Sequence, residues 1–388
     1  MVSGRMNTAS PLPSTTVDAQ GDSEEGSLLI RPAWQLRALS GAGVTSVGWS
    51  LRVPRVGAWQ RPSSSSPTPN STSTRHPSGT PNVLGDSLPH CRGLPWPDCS
   101  TRWSSATHAW PRVHSPAYVA QLERFCESGG GDLDPDTFAA PGSWDTALRA
   151  AGAVLDAVEA LEAGSCDVAF AAGRPPGHHA VADRAMGFCL VNNVAVAAAE
   201  LVSQGRRVAI VDWDVHHGNG TQDIFYDDPN VLYVSTHESP LYPGSGRADE
   251  TGGAGAPMSN LNLPFPAGTR GDVFRRAVDE VIAPVIERFA PDWLFISAGF
   301  DAHRNDPLAG LELTSADYAD LAMRLQQLAP TRRTVVVLEG GYDFEALSLS
   351  TGSTLSALIG ESYRPEEVST GEVGLPTVTA ARQHWNLA

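Results

Sequence analysis

The run IVDWDVHHGNG sets Asp212, Asp214 and His216 two residues apart. At the end of an extended segment that period turns all three side chains to one face. A carboxylate and an imidazole on one face supply two of the three protein ligands that a catalytic zinc typically takes, leaving a fourth position for water. Asp301, just past the run WLFISAG, is the best third ligand. Taken alone, an Asp at a strand end is more often a turn residue or helix cap. The Asp-x-Asp-x-His spacing, with a partner after a second strand, favours a metal site instead. In RPPGHHA, His178 and His179 follow two prolines and a glycine, so a rigid turn can present both rings to one cleft. Adjacent imidazoles suit general acid and base work near neutral pH. In EGGYD, Gly340 and Gly341 let backbone approach a ligand and leave Tyr342 able to donate to a developing oxyanion. A Tyr after Gly-Gly can equally be a packing residue in a turn.

These residues need elements to hold them. Short β-rich apolar runs at 168–173, 207–213, 231–237, 293–299 and 334–340 alternate with helical stretches near 144–163, 192–204, 271–289, 314–328 and 343–358. That alternation predicts an α/β fold built on a single open, mostly parallel sheet flanked by helices. In open α/β sheets ligands bind outside the carboxyl ends of the strands. Here every predicted strand runs straight into a polar, Gly-rich cluster: RPPGHHA, DVHHGNG, HESPLYPGSG, FDAHRNDP or GGYD. The domain carrying these motifs spans 107–388. Residues 1–106 differ in kind: Ser, Pro and Arg dominate, as in RPSSSSPTPNSTSTRHPSGTPN, without periodicity, the composition of a disordered extension. Yet six of the ten Trp lie at or before Trp110, so a mispredicted start or shifted reading frame is the competing expectation for this anomalous segment.

Charge narrows the partners. The net charge is -16, and after Val113 seventeen Arg face thirty-seven acids. Such a body repels nucleic acid and anionic membrane and favours cationic substrates. The chain has no Lys, which fits a GC-rich, bacterial coding bias. Five widely spaced Cys with no CxxC pair signal neither a disulfide framework nor a thiolate zinc site, and a reducing cytoplasm fits best. No apolar run approaches the ~20 residues of a membrane span, and no signal peptide is evident.

From about His114 onward the chain resembles the histone deacetylase family, within the arginase-deacetylase fold, and especially its class II-like and bacterial deacetylases and acetylpolyamine amidohydrolases. The shared stretches are RPPGHHA, MGFCLVNNVAVAA, DWDVHHGNGTQDIFYDDPNVLYVSTHE, SAGFDAHRNDPLAGL and LEGGYD. The resemblance implies zinc bound by Asp214, His216 and Asp301, with His179 as general base and His178 as its electrostatic partner. It further implies that Asp212 and Asn219 orient those imidazoles, and that Tyr342 bonds the oxyanion. Phe188 and Tyr242, with Gly187, Gly340 and Gly341, would shape a tunnel for the substrate stem, and Asp134 would stand at its rim. A structural potassium ion near Asp212 and Ser235 is implied as well. The expected substrate is acetyl-lysine in a peptide or protein, or an acetyl-polyamine. Upstream, HCRGLPWPDCSTRW stands where family members carry a motif of their own, so the amino-terminal part of the fold is expected to be incomplete. Two alternatives remain at this point: a ureohydrolase of the same fold with two manganese ions, and a catalytically silent acetyl-group binding protein.

Overall fold

Uninterrupted runs of Val, Ile and Ala suit strands buried on both faces, and a computed structural model of the protein places them so. The structure describes residues 47–51 and 110–387, so most of the segment 1–106 lies outside the described residues. Strands β1 (Val47–Leu51), β4 (Val168–Ala172), β5 (Val208–Asp212), β6 (Val231–Glu238), β7 (Asn260–Phe265), β8 (Trp293–Ala298) and β9 (Thr334–Leu338) form one sheet, and β2 (Gly131–Asp134) with β3 (Thr137–Ala139) forms a separate hairpin. The sheet order is β1-β4-β9-β8-β5-β6-β7. From β4 to β7 every pairing is parallel. β1 alone is antiparallel, pairing with β4. It lies inside the stretch expected to lack regular structure, where VGWSL does alternate apolar and small residues over five positions.

Helices cover both faces. On one side lie α1 (Pro116–Glu127), α2 (Ser143–Glu162) and α3 (Asn193–Ser203); α4 (Asn219–Phe225) follows β5. On the other lie α5 (Gly271–Ala277), α6 (Ala283–Phe289), α7 (Ser315–Gln326), α8 (Phe344–Leu358) and α9 (Leu375–His384). Period-2 geometry divides each strand between the two layers: in β5, Val208 and Ile210 join the first core while Ala209 and Val211 join the second.

The sequence predicts one helix over 271–289, whereas the structure breaks it with a π-helical turn at Val278–Ile282. Pro284 explains the turn. It lacks an N–H and its ring crowds the preceding turn, and the wider spacing leaves Ala283 N–H bonded to Val278 O. Among the described residues no helix is long and apolar enough to cross a membrane.

Candidate active site

β4, β9, β8 and β5 are sheet neighbours running in one direction, so the loops after them emerge side by side. Those four loops carry His178 and His179, Tyr342, Asp301, and Asp214 with His216. Nδ1 of His216 lies 3.2 Å from Asp214 Oδ1 and 3.2 Å from Asp301 Oδ2. Ligand atoms of the three residues lie within 4.8 Å of one another. Each carboxylate is also anchored by backbone: Asp214 Oδ2 accepts Gly340 N–H at 2.8 Å, and Asp301 Oδ1 accepts Val215 N–H at 2.9 Å.

This donor set fits a divalent cation. Asp214 and Asp301 are buried, and burying two carboxylates together is costly unless positive charge joins them. Burial and the adjacent Asp214 raise the Asp301 carboxyl to about 7. Burial works against a charged His216, but its bonds to Asp214 and Asp301 overcome that and raise the imidazole to about 11. The Asp214 carboxylate contributes to both shifts, since it opposes a second negative charge on Asp301 and favours a positive one on His216. Glycine keeps that point open. A Cβ on Gly299 or Gly340 would come closer than 3.0 Å to the Asp214 carboxylate, and one on Gly340 would also collide with Asp301.

The two imidazoles beside this point sit in opposite electrostatic settings. His178 Nδ1 donates to Asp212 Oδ2 at 3.0 Å, and the same oxygen accepts from Tyr233 OH at 3.1 Å. Burial pulls the His178 pKa down, yet Asp214, Asp212 and Glu339 outweigh it and raise it to about 10. His179 is held neutral by burial and by the positive charge on His178. The Asn219 amide orients its ring. Asn219 Nδ2 points to the His179 carbonyl, so Asn219 Oδ1 faces His179 Nδ1 at 2.8 Å and accepts its proton. The lone pair of His179 therefore lies on Nε2. The two rings pack with centroids 4.0 Å apart.

Tyr342 enters from the β9 loop with its backbone N–H donated to Asp306 Oδ2 at 2.7 Å. Burial and the nearby Asp301 and Asp214 carboxylates push its phenol pKa up, so the hydroxyl keeps its proton. The Phe188 ring stands 5.9 Å from the Tyr342 ring, and Tyr242 packs edge-on against His179 at 5.1 Å. Both Phe188 and Tyr242 remain exposed, one beside Tyr342 and the other beside His179. Gly187 and Phe188 both take positive φ, 57° and 65°. That is costly for Phe188, and the hairpin supports the turn: Gly187 N–H donates to Asp136 Oδ1 and Phe188 N–H to Thr137 Oγ1. Asp134, expected at the rim, accepts the N–H of Asp136, and Asp136 in turn holds the Gly187 turn. Gly341 takes φ 132° and lets the chain bend toward Tyr342.

Asp212 and Ser235 are register partners on β5 and β6. Ser235 Oγ is 2.9 Å from His237 Nδ1, and the Asp212 oxygens serve His178, Tyr233 and the Asp214 N–H.

Two site residues lie inside the quoted motifs but carry no role in the sequence reading. Glu339 is buried, and its Oε2 accepts the N–H groups of Gly177 and His178 at 2.7 and 3.1 Å; burial raises its carboxyl to about 7. It ties β9 to the His178 turn, and the available signal was an acid at the end of an apolar run. Asp306 was visible only as one acid in a polar loop.

Known proteins share this arrangement at the level of sequence and fold. The family model described as "Histone deacetylase domain" matches residues 94–358, beginning upstream of His114. The chain is 42% identical over 268 residues to a "Probable deacetylase" of Archaeoglobus fulgidus, a match covering 66% of this chain and 74% of that protein. It is 40% identical over 237 residues to the "Histone deacetylase-like amidohydrolase" of Pseudomonas aeruginosa, covering 60% of this chain and 62% of that one. Among solved structures, the "Crystal Structure of HDA15 HD domain" superposes with a TM-score of 0.67 at 37% identity, covering 71% of this chain and 77% of the other. With the family model matching residues 94–358, more than half of the chain, and with the polar strand ends gathered at one point, this chain belongs to the histone deacetylase domain family.

Proposed function

We propose that the protein is a zinc-dependent amidohydrolase that removes an acetyl group from an amine, in acetyl-lysine protein or in acetyl-polyamine, releasing acetate. The observation that carries this reading is the triad of Asp214, His216 and Asp301 beside a neutral His179 whose Nε2 lone pair is free. Those three residues would hold the ion, which when bound supplies Lewis-acid polarisation of the acetyl carbonyl and a more acidic water. His179 Nε2 takes the proton of the attacking water and returns it to the departing nitrogen. His178, kept positive by Asp214 and Asp212, stabilises negative charge arising beside it. The Tyr342 hydroxyl donates to the carbonyl oxygen as charge builds there. Phe188 and Tyr242 bracket the substrate's apolar stem, with Gly187, Gly340 and Gly341 giving the backbone room to close around it. A structural potassium ion beside Asp212 and Ser235 belongs to the same reading, supported by their pairing in register on adjacent strands. So does a cytoplasmic setting, supported by the cysteine usage.

The test is acetate release from a panel of acetyl-lysine peptides and acetyl-polyamines, with and without chelator, alongside metal analysis. Chelator-sensitive release with one zinc per chain is expected. Two manganese ions with urea release, or zinc binding with no hydrolysis of any panel member, would overturn the assignment.

A further inference from the structure

The loop from Asp301 to Asp306 joins the two halves of the site. Its first residue faces His216, and its last accepts the Tyr342 N–H. Asp306 also accepts the Leu308 N–H at 3.0 Å through Oδ1. What fixes the middle of this loop comes from 24 residues beyond Tyr342, in the strap that precedes α9. Glu366 Oε2 lies 2.9 Å from His303 Nε2 and accepts the Ser315 N–H at 2.9 Å, while Oε1 accepts from Arg304 at 2.6 Å.

The proton positions follow from the partners. His303 Nδ1 faces the Asn305 N–H at 3.2 Å and so acts as acceptor, which puts the ring proton on Nε2, pointing at Glu366. Glu366 thus receives three donors, two of them from the loop. His303 is buried, so without Glu366 its Nε2–H would be left unpaired, and burying an unsatisfied donor is costly. Between Asp301 and Asp306, the loop's remaining tethers are backbone bonds to the stretch before α7: Arg304 N–H to Leu313 O and Leu313 N–H to Ala302 O. These hold the loop's main chain, but no other side chain is hydrogen-bonded to the His303 Nε2–H in the described residues.

We propose that Glu366 is a positioning residue for the reaction: by clamping His303 and Arg304 it sets Asp306, and through Asp306 it sets Tyr342 over the Asp301 side of the site. The inference rests on the amidohydrolase reading for its kinetic consequence, though not for its structural one. Glu366→Gln preserves shape but replaces one acceptor oxygen with an NH2 that must face a donor.

The test has two arms on the full chain. In the first, all seven tyrosines are replaced by 3-fluorotyrosine and the Tyr342 fluorine resonance is assigned by its loss in Tyr342→Phe. Glu366→Gln should move that resonance and leave those of Tyr118 and Tyr233 in place; an unmoved Tyr342 signal overturns the proposal whatever the enzyme does. In the second, Glu366→Gln should lower kcat about 10- to 100-fold, the size typical of residues that support a site from behind, with KM little changed. Combined with Tyr342→Phe it should add almost nothing, since both act through one hydroxyl. Fully additive losses would mean a general structural role and would overturn the inference. If Glu366→Gln does not fold, Arg304→Ala removes the exposed half of the clamp and must show a smaller effect with the same non-additivity. A wild-type protein without turnover defeats the amidohydrolase reading alone, because the resonance arm still decides the coupling.

Discussion

Alanine at position 340 separates the metal-site argument from ordinary fold stability. Gly340 does not sit at positive φ, so its backbone suits alanine. The added Cβ, however, would stand 2.7 Å from Asp214 Oδ2 and 2.9 Å from Asp301 Cγ, and closer still to Asp301 Oδ2. Ordinary contact begins near 3.4 Å, so the two carboxylates must retreat by about 0.7 Å or more. A metal site tolerates departures of only about 0.2 Å. Disturbing residues behind the ligands already weakens metal sites about 10- to 100-fold, so displacing two ligands should cost at least about 100-fold in zinc affinity. Gly341→Ala is the control. There φ is 132° and the new Cβ would meet Leu347 at 3.2 Å and Phe300, not the carboxylates, so the expected cost is about 1–3 kcal/mol of folding stability with zinc binding near wild type. Competition against a fluorescent chelator measures the first quantity and thermal denaturation the second. The reasoning fails if Gly340→Ala binds zinc within about threefold of wild type, or if Gly341→Ala loses zinc as severely.

Tyr342→Phe should lower turnover on the order of 100- to 1000-fold while metal analysis finds zinc unchanged. Asp212→Asn leaves a neutral amide where His178 and Tyr233 both donate; about a 10- to 100-fold loss of kcat/KM is expected, with Tyr233→Phe much milder in the same assay. For Gly187→Ala, a Cβ would run into the His179 ring at a residue with φ 57°, so acetate release should fall while zinc titration stays normal, because His179 donates nothing to the ion. Glu366 carries an acid-stability signature. Burial raises its carboxyl, but the bonds from His303 and Ser315 hold it at about 2 against an ordinary 4.5. Its stabilising contribution is therefore complete above pH 4.5 and fades as pH falls toward 2. Melting temperatures of Glu366→Gln should depend less on pH across that window, and an unchanged slope would contradict the assignment.

The central sheet was legible because its strands are continuous apolar runs: 208–212, 293–298 and 334–338 fall inside the predicted ranges. Strand β7 was not, since NLNLPF interleaves Asn with apolar residues and contains Pro264. Proline is tolerated there because β7 is the sheet's edge, a fact of topology rather than of local pattern. Helix α1 and the β2–β3 hairpin were missed for a similar reason: each gains its burial from neighbours distant in sequence, as Tyr118 does where its hydroxyl donates to the Leu190 carbonyl. Within the site, residues in dense motifs stood out, among them Asp214, His216 and Tyr342. Glu339 and Asp306 act by accepting backbone N–H groups, and nothing in a residue's identity announces which amides it will meet.

The edge has a cost that its covering conceals. Beyond β7 the next layer is α9, where Val378, Ala381 and Trp385 are buried and the Thr377 hydroxyl donates to the Pro264 carbonyl at 3.1 Å. Deleting residues 375–388 would strip a roof from a strand whose outer main chain could then pair with another molecule's. Such a truncated protein should self-associate through sheet extension while its ligand triad, on the loops after β5 and β8 and separated from β7 by β6, remains intact.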